Sequence, residues 1–471
     1  MSSPVTGPAR ARILERRAID FVPEIERHGT IHSLFTLFFV GNLQITAVAV
    51  GLIPLQLGLG FGATLAAIAV GNLLGALVMA AHAAQGPRIG IPQMIQSRAQ
   101  FGVLGANVPL AFVVVMYLGF FSGSAILGGS ALAQLFGLRR ISGIIAMDAL
   151  TVVLLALGHD AIHRYARWTT WLIGGVFLFA TIRATGLYAQ HGAAGSAAGW
   201  PRIGTWFMGM SLFATWQITY GPYVADYSRY LPASTSGFKV FASTYAGSAL
   251  GSIWAMTLGA LLGAVAHGLA MTNPTAAFAA LIGGAGPGGV ARTVALATVV
   301  AGILIANSLN LYGGSLSTLT ILSTNRRWHQ GTLRHGRWYR LGLGISGAVI
   351  GTVVAALGAG RVLGFLNDLL LLLMYVFVPW SAINLTDFFL VRHGTYSIVD
   401  IYDRAGRYGA WGADALWVLA ASIAAEVPFM NLPFFVGPVA RWLGGADVTW
   451  IVGLSVAAPA YWYRCRTKKL V

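Results

Sequence analysis

Residues 34–53 read LFTLFFVGNLQITAVAVGLI, an apolar run with a polar break, GNLQ, near its centre. The run has the length of a helix that crosses a bilayer. Gly41 and the amides of Asn42 and Gln44 are costly in hydrocarbon, because polar side chains and loosened backbone groups need partners there. The pattern therefore predicts a membrane-spanning helix that is interrupted halfway, at a point that faces a cavity.

A second interruption follows at residues 216–222, which read WQITYGP. Pro222 lacks a backbone donor and clashes with the preceding turn, so it kinks or breaks a helix, and Gly221 loosens the same point. The two interrupted helices are five apart, and an odd offset turns the second unit upside down relative to the first. Inverted repeats with matched broken helices build the midplane site of many secondary transporters.

Apolar stretches continue along almost the whole chain. Of its 471 residues, 56% are hydrophobic and only 9% are charged, and the mean hydropathy is +0.71. Soluble domains carry about a quarter charged residues, so lipid is the solvent that this surface fits. Small residues such as Gly71 and Gly75 favour close helix packing. We predict twelve membrane helices, near residues 33–53, 60–84, 108–136, 141–157, 167–188, 203–225, 239–268, 292–322, 339–357, 363–391, 411–431 and 447–463.

The formal net charge of +16 lies mostly on alternate loops. That distribution follows the positive-inside rule and predicts a multi-pass plasma-membrane or inner-membrane protein with both termini in the cytoplasm. It argues against nucleic acid as a partner and favours the lipid bilayer. Cys465 is the only cysteine, so the sequence predicts neither an internal disulfide nor a cysteine metal site. The basic clusters comprise Arg10, Arg12, Arg16, Arg17, Arg27, Arg326, Arg327, Arg334, Arg337, Arg340, Arg464, Arg466, Lys468 and Lys469.

Helix eight is unusually polar for a membrane helix. Several of its polar residues recur at spacings of three or four and so share one face, which predicts a cavity lining or a set of interhelical hydrogen bonds. They are Asn307, Ser308, Asn310, Tyr312, Ser315, Ser317 and Thr318.

Several motifs resemble the purine–cytosine permease family, the nucleobase:cation symporters of family one. The resemblance covers about four-fifths of the chain, from near residue 16 to the end of helix ten. Its motifs are specific when taken together. They are IDFVPEIERHG at 19–29, GNLL at 71–74, GPRIGI at 86–91, RAQFGVLG at 98–105 with Pro109, DYSRY at 226–230 and NLY at 310–312.

The resemblance implies an all-α polytopic membrane protein of twelve helices with the leucine-transporter fold. It implies a first five-helix repeat at 33–188 and a second, inverted one at 203–391. Helices eleven and twelve follow at 411–463. A cytoplasmic leader at 1–32 and a cytoplasmic tail at 464–471 complete the predicted organisation.

The resemblance also implies a substrate site at helices one, three, six and eight. The break in helix one carries Asn42 and Gln44, and helix three places Tyr117 and Phe120 where the family has a polar and a stacking residue. The flat faces of a neutral heterocycle suit aromatic rings, and its donor–acceptor edge suits amides. The remaining candidates are Trp216 and Gln217 in helix six and Asn307 and Asn310 in helix eight.

Sodium-coupled members of the family carry hydroxyl side chains just before the helix-eight asparagine. Here those positions are Ile305 and Ala306, which supply no side-chain oxygen for a hard cation. We therefore expect H+ rather than Na+ as the coupling ion, with Asp148 in helix four as the candidate proton carrier. Glu426, in helix eleven, lies outside the repeats and is the weaker candidate.

The sequence thus predicts a symporter that imports a nucleobase, such as cytosine or a purine, by alternating access. The alternative is the same fold carrying hydantoin, allantoin, thiamine or pyridoxine, with possible sodium coupling. An intramembrane enzyme would need clustered His, Asp or Glu at helical spacing, which this sequence lacks. A channel would need a continuous polar stripe, whereas the polar residues cluster at one depth. We expect no cofactor and a monomer.

Overall fold

Helices make up nearly all of the folded chain. A computed structural model describes residues 20–157, 159–192, 203–284, 286 and 288–468, with the backbone alone at 159–163, 167 and 326–337. Residues 1–19 of the predicted leader and 469–471 of the predicted tail lie outside this part of the chain. So do the side chains of Arg326, Arg327, Arg334 and Arg337.

The first half of the chain begins with a short 3-10 turn at Glu24–Glu26, and nine helices follow. These are α1 (Ile31–Gly41), α2 (Ile45–Gln56), α3 (Phe61–Ala83), α4 (Gly86–Ile89), α5 (Gln93–Gln96), α6 (Arg98–Phe101), α7 (Asn107–Phe136), α8 (Arg140–Leu157) and α9 (His159–His191).

The second half of the described chain contains twelve helices, a π-helical turn at Asp387–Val391 and a 3-10 turn at Val427–Phe429. It also contains a hairpin in which β1 (Asn431–Leu432) pairs antiparallel with β2 (Phe435–Val436). Its helices are α10 (Ile203–Ile218), α11 (Gly221–Ser228), α12 (Gly237–Val265), α13 (His267–Thr272), α14 (Pro274–Gly283), α15 (Val290–Leu322), α16 (Arg326–Gly358), α17 (Val362–Thr386), α18 (Ile398–Tyr402), α19 (Ala413–Glu426), α20 (Pro438–Trp442) and α21 (Thr449–Thr467).

Helices α1 and α2 together form one broken span with a bend of 57°. The bend lies at Asn42–Gln44, where Gln44 has extended backbone angles, φ −143° and ψ 154°. The last carbonyls of a helix have no partner within it. Here the side-chain amide of Asn42 donates to the Phe38 carbonyl at 2.7 Å and that of Gln44 to the Gly41 carbonyl at 3.3 Å. The polar residues of the break thus satisfy the backbone groups that the break exposes.

Helices α10 and α11 form the second broken element. The break is at Thr219–Tyr220, one step before Gly221, and Pro222 lies in the first turn of α11, where its missing donor costs nothing. The Thr219 hydroxyl donates to the Trp216 carbonyl at 2.8 Å and so satisfies the end of α10. Gly221 and Pro222 therefore start the second half of this element rather than end the first.

One group of helices comprises α1, α2, α3, α10 and α12. Close approach within the group depends on glycines. A Cβ added at Gly71 or Gly75 of α3 would overlap the backbone of α10, and one added at Gly51 of α2 would overlap the backbone of α12. Small residues provide this backbone-to-backbone packing inside membranes, where burial of apolar surface gives no driving force.

A second group comprises α7, α8, α15 and α16, with α7 packed along α15. A direct link between its members is the Ser122 hydroxyl of α7, which donates to the Gly351 carbonyl of α16 at 3.0 Å. The broken helices meet this group through the hydroxyls of Thr46 and Ser124, which are 2.9 Å apart. The two groups therefore face each other at the level of the breaks.

Eight described helices are long and apolar enough to cross a membrane, and the bent pair α1–α2 makes nine. The broken pair α10–α11 and the shorter or more polar α19 and α21 fall below that criterion. Counting them as crossings gives a number consistent with the predicted twelve.

Candidate binding site

Aromatic rings from α7, α10 and α11 meet beside the two helix breaks. Phe120 meets Trp216 edge to face, with ring centroids 5.6 Å apart and an interplanar angle of 85°. Trp216 continues to Tyr220 at 6.3 Å, Tyr220 to Tyr223 at 5.5 Å, and Tyr223 to Tyr117 at 5.7 Å. The rings form an aromatic wall that offers faces and edges to a flat ligand.

Tyr117 closes this wall on the side of α15. A Cβ at Gly313 would overlap the Tyr117 ring, so the glycine provides the space in which the ring lies. The predicted pair Tyr117 and Phe120 is thus in one aromatic set with Trp216.

Asn42, in the α1–α2 break, has all its side-chain capacity occupied by the protein. Its oxygen accepts from Trp216 Nε1 at 2.8 Å and from the Tyr220 hydroxyl at 3.0 Å. Its nitrogen donates to the Phe38 carbonyl and, at 3.4 Å, to the Ser248 hydroxyl. The structure therefore gives Asn42 the position of a link between the two breaks, with no atom left to pair with a ligand.

Gln217 is fully buried on the far side of α10 from the aromatic wall. Its nitrogen donates to Asn72 of α3 and to Ser252 of α12, both at 2.9 Å, and its oxygen accepts from Ser248 at 2.6 Å. Adjacent residues on a helix point about 100° apart, and here Gln217 faces α3 and α12 while Trp216 faces Asn42 and Phe120. Gln217 holds α3, α10 and α12 together.

Gln44 differs from the other amides of the breaks. Its nitrogen donates to the Gly41 carbonyl, whereas its oxygen is buried and has no hydrogen-bond partner among the described residues. A buried carbonyl oxygen without a donor is unfavourable by about 1–3 kcal/mol. A ligand N–H group is one donor that would satisfy it.

Asn307 and Asn310 lie one turn apart on α15. Asn307 is buried and donates to the Phe121 carbonyl at 3.1 Å, which ties α15 to α7. Asn310 is partly exposed and lies 3.5 Å from the Asn307 oxygen, a weak contact by distance. The two amides thus lie next to each other on α15, close to the Phe121 carbonyl of α7, and Asn310 keeps capacity for another partner.

Ile305 and Ala306 lie within the uninterrupted helix α15 and are both partly exposed. The following hydroxyl on that helix, Ser308, is buried and has no partner among the described residues. The hydroxyl of Ser308 thus lies one helical turn after Ile305 on the same helix.

Asp148 lies in the second helix group, away from the breaks. It is buried, and one of its oxygens accepts from the Thr352 hydroxyl of α16 at 2.6 Å, while the other has no partner in the described part of the chain. The carboxyl therefore joins α8 to α16 and is not part of the aromatic wall.

Reasoning from the sequence missed Tyr220, Tyr223 and Ser248. The two tyrosines follow Trp216 at helical spacing, a signal that the intervening break hides. Ser248 bridges Asn42 and Gln217 from a helix whose register no local pattern indicates.

Residues 21–453 match the model of a family described as permeases for cytosine/purines, uracil, thiamine and allantoin. A putative purine-cytosine permease of Bacillus subtilis is 39% identical over 95% of this chain and 95% of its own length. A purine-cytosine permease of Emericella nidulans is 26% identical over 95% of this chain and 87% of its own.

Two solved structures of the transporter Mhp1 share the fold. The inward-facing conformation superposes with a TM-score of 0.75, covering 98% of this chain and 95% of Mhp1, at 20% identity. The closed conformation with bound bromovinylhydantoin gives 0.72, covering 97% of each chain, also at 20% identity. Mhp1 is described there as a member of the nucleobase-cation-symport-1 family.

Proposed function

The chain belongs to the family of permeases for cytosine/purines, uracil, thiamine and allantoin, and from this premise we propose that it is a symporter that imports a nucleobase such as cytosine or a purine. Its work is transport across a membrane, not catalysis. Alternating access around the two broken helices is the mechanism that this architecture favours.

Two observations carry the proposal. Phe120 and Trp216 pack as an aromatic pair, and Trp216 donates to Asn42 of the α1–α2 break, where Gln44 has an oxygen without a partner among the described residues. A nucleobase is flat, neutral and edged with N–H donors and carbonyl acceptors. Its face would lie against the rings, an N–H group would donate to Gln44, and Asn307 with Asn310 would supply further amide groups.

A second candidate substrate is a hydantoin, allantoin or a vitamin such as thiamine or pyridoxine. The family description and the hydantoin-bound Mhp1 structure favour keeping it. These ligands share a planar ring with amide-like edges, so the same wall would hold them.

For energy coupling, we propose H+ rather than Na+, because Ile305 and Ala306 carry no side-chain oxygen and Asp148 is a buried carboxyl within a membrane helix. We further propose a monomer in the plasma or inner membrane, with both termini in the cytoplasm, from the distribution of basic residues.

The first test is uptake into proteoliposomes of labelled cytosine, adenine, uracil, hydantoin and allantoin, with a pH gradient and a sodium gradient imposed separately. We expect a nucleobase to accumulate, and an inward proton gradient to drive the accumulation. Protein-free liposomes are the control. Uptake of hydantoin or allantoin alone would favour the second substrate class, and stimulation by sodium alone would contradict proton coupling.

Asp148→Asn tests the proposed proton carrier. We expect this variant to lose accumulation driven by the pH gradient while it still exchanges labelled for unlabelled substrate, because exchange needs no net proton movement. Thr352→Val is the matched control, since it removes the hydrogen-bond partner of Asp148 and keeps the carboxyl. Equal gradient-driven uptake by wild type and Asp148→Asn would exclude Asp148 as the carrier.

A further inference from the structure

A buried carboxyl lies outside the aromatic wall, at the end of α19. Glu426 is fully buried, and neither of its side-chain oxygens has a hydrogen-bond partner among the described residues. Its carboxyl occupies the space left by Gly453 of α21, because a Cβ at Gly453 would overlap Glu426 Oε1. Val378 of α17 borders the same space. Glu426 therefore sits between α17, α19 and α21.

A second carboxyl nearby, Asp447, is in the opposite situation. One of its oxygens accepts from the Tyr375 hydroxyl at 2.6 Å and from the backbone N–H of Asn431 at 3.1 Å. The other accepts from the backbone N–H of Thr449 at 3.1 Å and from its hydroxyl at 2.5 Å. Four donors are what an ionised carboxylate needs, so Asp447 is the group built to hold the negative charge.

The two carboxyls act on each other. Tyr375, which donates to Asp447, lies one helical turn before Val378 on α17, and Val378 borders the space that the Glu426 carboxyl fills. A second buried negative charge without donors would face desolvation and repulsion from Asp447 together. A pair of neighbouring acids in such unequal surroundings divides into one charged and one neutral member.

We propose that Glu426, Asp447 and Tyr375 form a proton-binding site, separate from the substrate site, in which Glu426 carries the proton and Asp447 the charge. The ligand is a proton delivered by hydronium: one O–H bond of hydronium breaks, one O–H bond forms on a Glu426 oxygen, and water is released. The proposal stands independently of the transported substrate.

The site connects several helices. Tyr375 belongs to α17, Glu426 to α19, and Asp447 leads into α21, while the Ser211 hydroxyl of α10 donates to the Asp447 carbonyl at 2.8 Å. Loss of the proton would put two negative charges into one buried space and push α19 away from α17 and α21. Protonation therefore holds these helices together.

The test is infrared spectroscopy of the purified full-length protein without substrate, after growth on isotope-labelled glutamate. The other glutamates of the sequence are Glu15, Glu24 and Glu26, all in the polar leader, and Glu24 is ion-paired with Arg27. We expect an isotope-shifted carbonyl band of a protonated carboxylic acid at neutral pH. Glu426→Gln should remove this band, and Asp148→Asn should leave it in place.

Thermal unfolding supplies a second readout. A proton held in the folded state and released in the unfolded state makes stability fall as pH rises above about 4.3, the value of an exposed glutamate. The unfolding equilibrium should shift by up to about tenfold per pH unit in the wild type and less in Glu426→Gln. If the labelled wild-type protein shows no isotope-shifted band of a protonated glutamate at neutral pH, the proposal is overturned. This outcome does not depend on whether Glu426→Gln folds.

Discussion

Replacing Trp216 with alanine is expected to reduce uptake of the substrate to the background of protein-free liposomes. The indole is the ring of the aromatic wall that joins Phe120 to Tyr220. Loss of an aromatic face and of the apolar area that it buries would weaken binding by about 2–3 kcal/mol, which is a loss of affinity of roughly 30-fold to 150-fold. Initial uptake rates of labelled base at low concentration measure the effect.

Trp206→Ala is the matched control, because Trp206 lies on the same helix, is partly buried and donates to the Ala63 carbonyl at 3.1 Å, away from the wall. It removes the same side chain and should leave the affinity within a few-fold of wild type. Near-normal uptake by Trp216→Ala, in protein that is expressed and folded, would move the substrate site away from this wall.

Trp216→Phe separates the ring from its N–H group. It keeps a smaller stacking face and loses the hydrogen bond to Asn42, which is worth about 1 kcal/mol or about fivefold in affinity. A graded order of wild type, Trp216→Phe and Trp216→Ala would assign most of the effect to the ring.

The fold was accessible from the sequence because its decisive signals are local. A polar GNLQ motif inside an apolar run marks a broken helix wherever it occurs, and the structure has the α1–α2 break at Asn42–Gln44. The same holds for the element around Gly221, although the break precedes the glycine, because Pro222 is tolerated in a first helical turn. Family motifs then indicated the architecture that the Mhp1 structures share.

The partners of the individual amides were not accessible in this way. Asn42, Gln44 and Gln217 all appear in the sequence as polar residues inside a membrane helix. Their difference depends on which helix lies opposite: Gln217 donates to Asn72, whereas the Gln44 oxygen has no donor within the described part of the chain. Such pairings join residues far apart in the chain and depend on helix rotation, which local periodicity leaves undetermined.

Asn42→Ala is the second substitution for which we expect a large effect on transport. Uptake should fall at least about tenfold, although the side-chain atoms of Asn42 are already bonded to the protein and are not free for the substrate. The substitution leaves the buried Trp216 N–H and Tyr220 hydroxyl without their acceptor, at a cost of about 1–3 kcal/mol for each. The two rings would then lose their fixed orientation. Asn72→Ala is the matched control, because it also removes a buried asparagine but one that contacts Gln217 instead of the wall.

A double-mutant cycle distinguishes positioning by Asn42 from direct contact with the base. In the Trp216→Phe background one of the donors to Asn42 is already absent, so Asn42→Ala should cost less than in the wild type, by about 0.5–3 kcal/mol. The order in which unlabelled bases compete for uptake should also stay the same in Asn42→Ala. Additive effects of the two substitutions, together with a changed order of competing bases, would mean that Asn42 bonds to the edge of the base itself. Only a direct contact would discriminate among ligands and act independently of Trp216.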